Sequence, residues 1–330
     1  MKVAIVKPDH LGDLILSLPA INAVAGHYPE TTLFVSSSTY PLARHLLPHL
    51  EILRLDLPHL SKFSTSSTTL AVVTDLRSFD RVFFFRRDQV FTPAWTKLIA
   101  RDAVLIEDSH EIHESKLQQD AVCASGIEYK RPDTFPGIRK KFGELRRVGL
   151  CLSAGFYGNR WPTMRWMELG RLLGAHGIDV SIICGPFERT EGETLVRLLG
   201  LDGRRHLIAG STDFAAFREQ VRELDLVVAS DGGGAHLCSL EAPVLSLFGG
   251  SPYRRYAPFG VSNRVLTRLA YCSPCCQYHE HIVNGCVTIE CLTRILPRSV
   301  FQAMLQPQGK PGERRDLGSG CTLFFGVSHS

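Results

Sequence analysis

One pattern occurs twice in this chain and restricts its fold more than any other feature. Val3-Ala4-Ile5-Val6 is a short apolar run rich in β-branched residues. A polar loop follows from Lys7 to Asp13, then helical apolar spacing from Leu14 to Ala25, then a second strand-like run from Thr32 to Ser36. The pattern restarts at Arg147: a strand to Ser153, a loop from Ala154 to Pro162, a helix from Thr163 to Ala175 with Thr163 as its cap, and a strand from Asp179 to Cys184. Strands that alternate with helices predict a parallel sheet covered on both faces. Two such openings in 330 residues, more than one core usually absorbs, predict two doubly wound α/β domains.

The boundaries follow composition. Residues 1–138 form the first domain. A basic stretch with Pro132, Pro136 and Gly137 leads into a linker at 139–147, and residues 148–291 form the second domain. Within the first, 81–87 and 103–106 read as strands, and 110–125 as a helix with His110 and His113 on its surface. Residues 292–305 read as a terminal helix interrupted by Pro297. The tail, 306–330, is rich in Gly, Pro and charge and is expected to be loosely ordered.

In doubly wound sheets, ligands bind at the loops beyond the carboxyl ends of the strands. Two of those loops carry chemistry. Asp13 ends the first one, where it is either a helix cap or a general base; both readings stand. In the second, Leu226-Val227-Val228 runs into Asp231-Gly232-Gly233-Gly234, with His236 in the following helical turn. Glycines let the backbone approach a ligand, and free amides at the start of a helix receive phosphate. The plain alternative is a tight turn capped by Asp231.

A third cluster holds Cys272, Cys275, Cys276, Cys286 and Cys291, with His279 and His281 nearby. A structural zinc on Cys272, Cys275, Cys286 and Cys291, packed reduced thiols, and a disulfide are the three readings it admits.

Composition sets the outer limits. With 44% hydrophobic and 21% charged residues, the chain has ordinary globular usage. A net charge of +4 does not mark a nucleic-acid binder, though it suits an acidic ligand or an anionic membrane surface. No apolar run reaches the ~18–20 residues that cross a bilayer, and the N-terminus lacks the pattern of a signal peptide. The expectation is a cytoplasmic protein, with charge compatible with peripheral contact at an anionic membrane surface. The first loop has Gly12 alone and no G-x-G-x-x-G, which disfavours a dehydrogenase. No Asp-x-Asp occurs in the sequence, so the usual carboxylate pair that holds a metal–diphosphate is missing.

Three motifs in order resemble glycosyltransferase family 9, the family of the ADP-heptose lipopolysaccharide heptosyltransferases. They are Val6 to Ala20 with its Gly12-Asp13, Ser153-Ala154-Gly155 through Arg160-Trp161-Pro162, and Asp231-x-Gly233-x-x-His236 followed by Phe248-Gly249 and Pro258-Phe259-Gly260. The resemblance implies the GT-B architecture, two Rossmann-like doubly wound domains facing across a cleft, with the terminal helix crossing back to the first. It implies an inverting, metal-independent transfer from a nucleotide sugar, ADP-heptose foremost, onto an anionic lipid-linked glycan such as a lipopolysaccharide core, with no cofactor required. Asp13 then matches the base, with Lys7 and Gly12 on the acceptor side. Ser153, Arg160, Asp231, Gly232, Gly233, Gly234 and His236 match the donor site, and Glu188 the acid that contacts the ribose.

The chain also departs from the family. Gly232 stands where Ser or Thr is frequent, and Asn159 where Lys is common. These departures keep open a catalytically degenerate sugar-nucleotide-binding protein, beside a nucleotide-sugar epimerase on the same scaffold.

Overall fold

The computed structural model describes residues 1–56, 76–86, 102–107, 109, 111–135, 144–209, 213–275, 286, 288–318 and 320–326. Arg87, His110, Pro136, Gly137, Cys276, His279 and His281, and most of the expected linker, lie outside the described residues. The chain divides into two compact units, Met1–Pro132 and Asp133–Ser330.

The first unit is built on β1 (Val3–Lys7), α1 (Leu11–His27), β2 (Thr31–Val35), α2 (Tyr40–Leu46), β3 (Glu51–Arg54), β4 (Arg81–Phe84), β5 (Ala103–Leu105) and α3 (Glu114–Ala124). Its five strands lie in the order β3-β2-β1-β4-β5, all parallel. β1 is central and buried along its whole length, as a continuous apolar run covered on both faces requires. The order reverses between β1 and β4, which makes the carboxyl end of β1 the switch point of this sheet.

Helix α1 starts three residues before the apolar spacing predicts. Leu11, Gly12 and Asp13 form its first turn, and His10 is its N-cap without a side-chain cap bond. Gly12 is therefore a buried helical residue rather than part of a loop, and Asp13 is not a cap.

The second unit follows with β6 (Arg147–Cys151), α4 (Thr163–Ala175), β7 (Asp179–Cys184), α5 (Arg189–Leu198), β8 (Leu207–Ala209), α6 (Phe214–Arg222), β9 (Leu226–Ser230), α7 (Gly233–Cys238), β10 (Val244–Phe248), β11 (Arg264–Thr267), α8 (Pro297–Leu305), β12 (Arg314–Asp316) and β13 (Thr322–Phe325). The sheet order is β12-β13-β11-β10-β9-β6-β7-β8, and the six strands from β6 to β11 run parallel. Its switch point falls between β6 and β9, the strands that lead into the loops carrying Ser153 and Asp231. Trp161 and Trp166 pack edge to face at 4.8 Å in the core, and the Trp161 indole donates to Ile295 O at 3.0 Å.

Two expectations need correction, and one gains detail. The tail is not loose: β13 pairs antiparallel with β11, and β12 with β13, while Cys321, Leu323 and Phe325 are fully buried in the core. Gly and Pro there shape turns between strands, so composition alone misled. The terminal helix is two pieces, Glu290–Thr293 and α8, because Pro297 cannot continue a helix but suits the first helical position, where α8 places it. Finally, α8 buries Val300, Ala303 and Met304 in the core of the second unit, where it packs on α4, rather than leaving that unit for the first.

Candidate active site

The switch point of the first sheet gathers charges from four segments. Lys7, the last residue of β1, is 2% exposed, and its ammonium donates to Phe85 O at 2.5 Å, just past β4. The ammonium also lies 3.1 Å from Asp9 Oδ2 and 3.2 Å from Glu114 Oε1. Arg86 pairs with the other Asp9 oxygen at 3.1 Å. Burial alone would push the Lys7 ammonium down, but the carboxylates of Asp9, Glu114 and Asp13 outweigh it and hold the pKa above its ordinary value. Lys7 is thus committed to internal partners.

Asp13 lies in the first turn of α1 and is half-buried. Burial raises its carboxyl to about 6; Lys7 and His10 pull it down, while Asp9 and Glu114 add to the rise. A carboxylate with that proton affinity is suited to accept a proton near neutral pH. Its backbone carbonyl accepts from Ser17 Oγ at 2.7 Å.

The switch point of the second sheet brings together most of the donor-side residues named from the sequence. Ser153 Oγ accepts from Gly185 N at 2.7 Å and ties the β6 loop to the β7 loop. Beyond β7, the buried Glu188 accepts from Arg160 at 3.2 Å. Asp231 is 6% exposed and accepts from Asn159 Nδ2 at 2.9 Å; the same amide nitrogen lies 3.1 Å from Ser251 Oγ. Asp231 therefore does not cap α7, whose N-cap is Gly232 without a side-chain bond. His236 is buried within α7.

The glycines of this turn answer to close packing. A Cβ on Gly232 would meet Ser153 O at 2.9 Å and Ala154 Cα at 3.1 Å, and one on Gly234 would meet Cys151 Sγ at 2.8 Å. The loop after β6 presses on the turn after β9, and a side chain at either glycine would drive them apart.

Other expectations fare differently. Thr163 is the first residue of α4 rather than its cap, and its hydroxyl donates to Glu191 at 2.5 Å. His113 is buried rather than on the surface, with Nδ1 2.7 Å from Ser115 Oγ. Cys272, Cys275, Cys286 and Cys291 are free thiols. Burial, with a contribution from the other three sulfurs, pushes the Cys275 thiol up to about 11. Among the described residues, no group of three or more His, Cys, Asp or Glu could hold a metal, so the zinc expectation finds no ligand set there.

Reading by sequence missed Glu114 and Arg86. Neither lies in a motif: Glu114 opens a helix far along the chain, and Arg86 follows a hydrophobic strand. The only hint was that a buried lysine at the end of β1 would need acidic partners.

Solved structures share this fold. The E. coli heptosyltransferase WaaC, determined with ADP, matches 92% of this chain and 98% of its own at 16% identity, with a TM-score of 0.62. The E. coli ADP-heptose lps heptosyltransferase II matches the same shares at 17% identity and a TM-score of 0.62. The iron-containing dodecameric glycosyltransferase TibC from enterotoxigenic E. coli H10407 matches 92% of this chain and 77% of its own, at 11% identity and a TM-score of 0.54. No curated protein matches the sequence. The model of glycosyltransferase family 9 (heptosyltransferase) matches residues 60–284, more than half of the chain. The chain belongs to glycosyltransferase family 9.

Proposed function

We propose that this protein transfers a sugar, heptose from ADP-heptose, to a hydroxyl of a lipopolysaccharide core or related envelope glycan, with inversion at the anomeric carbon. The observation that carries this reading is the half-buried Asp13 at the switch point of the first sheet, its carboxyl raised to about 6 beside Lys7, in a chain of this family. Asp13 deprotonates the acceptor hydroxyl as that oxygen attacks the anomeric carbon. The nucleoside diphosphate leaves from the opposite face through an oxocarbenium-like transition state.

Charge then grows on the leaving phosphate. Backbone amides at Gly233 and Gly234, with His236, receive it, and Glu188 contacts the ribose. Ser153 and Arg160 support that pocket through Gly185 and Glu188. Asp231 lies near the donor sugar. Transfer is read as metal-independent because the chain lacks the Asp-x-Asp pair. The protein works at the cytoplasmic face of the inner membrane, reaching its lipid-linked acceptor peripherally; among the described residues no helix is long and apolar enough to cross a membrane.

Calorimetry with ADP, UDP and GDP, followed by a transfer assay with ADP-heptose and truncated lipopolysaccharide core in the presence and absence of chelator, tests this reading. ADP preference and acceptor-dependent ADP release that survives chelation support it. Loss of transfer with chelator overturns metal independence, and preference for another nucleotide overturns the donor. ADP binding without transfer favours the degenerate alternative that Asn159 motivates.

A further inference from the structure

The transfer chemistry outlined above makes no use of Glu114, a charged side chain only 2% exposed. Its Oε1 accepts from Lys7 Nζ at 3.2 Å and from Gln118 Nε2 at 3.1 Å. Each donor leads on to Asp13. The Lys7 ammonium acts directly on the Asp13 carboxyl. Gln118 Nε2 spends its second hydrogen on Ser17 Oγ at 2.8 Å, and Ser17 in turn donates to the Asp13 carbonyl at 2.7 Å. Glu114 therefore closes a ring around Asp13, by charge on one side and by hydrogen bonds on the other.

A buried ion pair rarely adds net stability over an uncharged arrangement of similar shape, and a glutamine would fill the same volume. What glutamine cannot supply is the negative charge. The groups that face Asp13 are Lys7 from β1, Asp9 and His10 from the loop, and Glu114 from α3, with Arg86 beyond Asp9. Lys7 and Arg86 bring two positive charges to this cluster, and Asp9 and Glu114 bring two negative ones. Without Glu114 the positive charges would outnumber the negative ones, and the ionised form of Asp13 would be favoured.

We propose that Glu114 is a positioning residue that holds Lys7 in place and balances its charge beside Asp13. This rests on the reading of Asp13 as the base. Aspartate labelled with 13C at the side-chain carboxyl, incorporated into the full chain, reports the titration directly, and the resonance missing from Asp13→Asn identifies Asp13. In Glu114→Gln its midpoint should fall by roughly half a pH unit or more, because a nearby like charge has gone. The acid limb of transfer from ADP-heptose to lipopolysaccharide core should move the same way, with a lower kcat. If Glu114→Gln does not fold, Glu114→Asp draws the carboxylate back by one carbon and should give a smaller shift in the same direction. An unmoved Asp13 midpoint in the variant that folds overturns the proposal. Normal transfer by Asp13→Asn would instead overturn the assignment of the base, while the titration still decides what Glu114 does to Asp13.

Discussion

The side-chain amide of Asn159 donates to the Asp231 carboxylate across 2.9 Å, joining the turn after β6 to the turn after β9. Both residues are buried, so this bond is made away from bulk water. Asn159→Leu withdraws one donor from a buried carboxylate and should cost about 1–3 kcal/mol of stability, read from urea unfolding. Asn159→Lys places a cation at the same point. It should tighten ADP binding by roughly fivefold or more, the scale of about 1 kcal/mol, measured by calorimetry. Unchanged affinity would place the diphosphate elsewhere.

Asp13→Asn should lower transfer by about 10² or more while leaving ADP affinity near that of the native protein, since only the proton acceptor is lost. It should also make the fold more stable above pH 6. The folded state holds the Asp13 proton more tightly than the unfolded chain, so the native protein loses stability as pH rises from about 4 through about 6. A melting temperature a few degrees higher for the variant at pH 8, with the difference gone at pH 4, is the expected pattern.

The rate of transfer should carry an acid limb set by the same group. Asp13 accepts a proton only when ionised, so kcat should fall as pH drops through about 6 and level off above it. A pH–rate profile that stays flat from pH 5 to 8 would remove Asp13 from the proton transfer.

Gly232→Thr returns the side chain that is frequent in the family, yet it should not improve this protein. Its Cβ would stand 2.9 Å from the Ser153 carbonyl oxygen, a backbone atom with little room to retreat. A loss of about 1–3 kcal/mol is expected from overpacking, together with weaker ADP binding as the two loops separate. Stability and affinity equal to the native values would mean that the β6 loop yields freely.

The doubly wound halves were legible because continuous apolar strands and 3.6-residue periodicity are local signals, as at Val3–Lys7 and Thr163–Ala175. The glycine-rich turn was legible for the same reason, since Asp231 to His236 is one uninterrupted stretch. Local patterning could not show that Asn159 meets Asp231, or that Lys7 meets Glu114; those pairs exist only once the sheet order brings distant loops to one edge. Nor could it separate a cap from a base at Asp13. That distinction depended on where α1 starts, and helix ends are set by tertiary contacts as much as by capping residues. The tail misled because Gly and Pro mark both loose ends and tight turns between strands.

The pairing of β13 with β11 has a consequence for the chain as a physical object. Without β13, the outermost parallel strand of the second sheet would present a bare row of amides and carbonyls, an invitation for another chain to pair with it. The last two strands turn that open flank into a short, reversed border, with Arg314, Arg315 and Asp316 on its outer strand. A chain shortened after Leu305 would keep every residue assigned here to donor or acceptor chemistry. Its β11 edge would nevertheless lie bare, so cover for that flank comes from residues that take no part in the proposed chemistry.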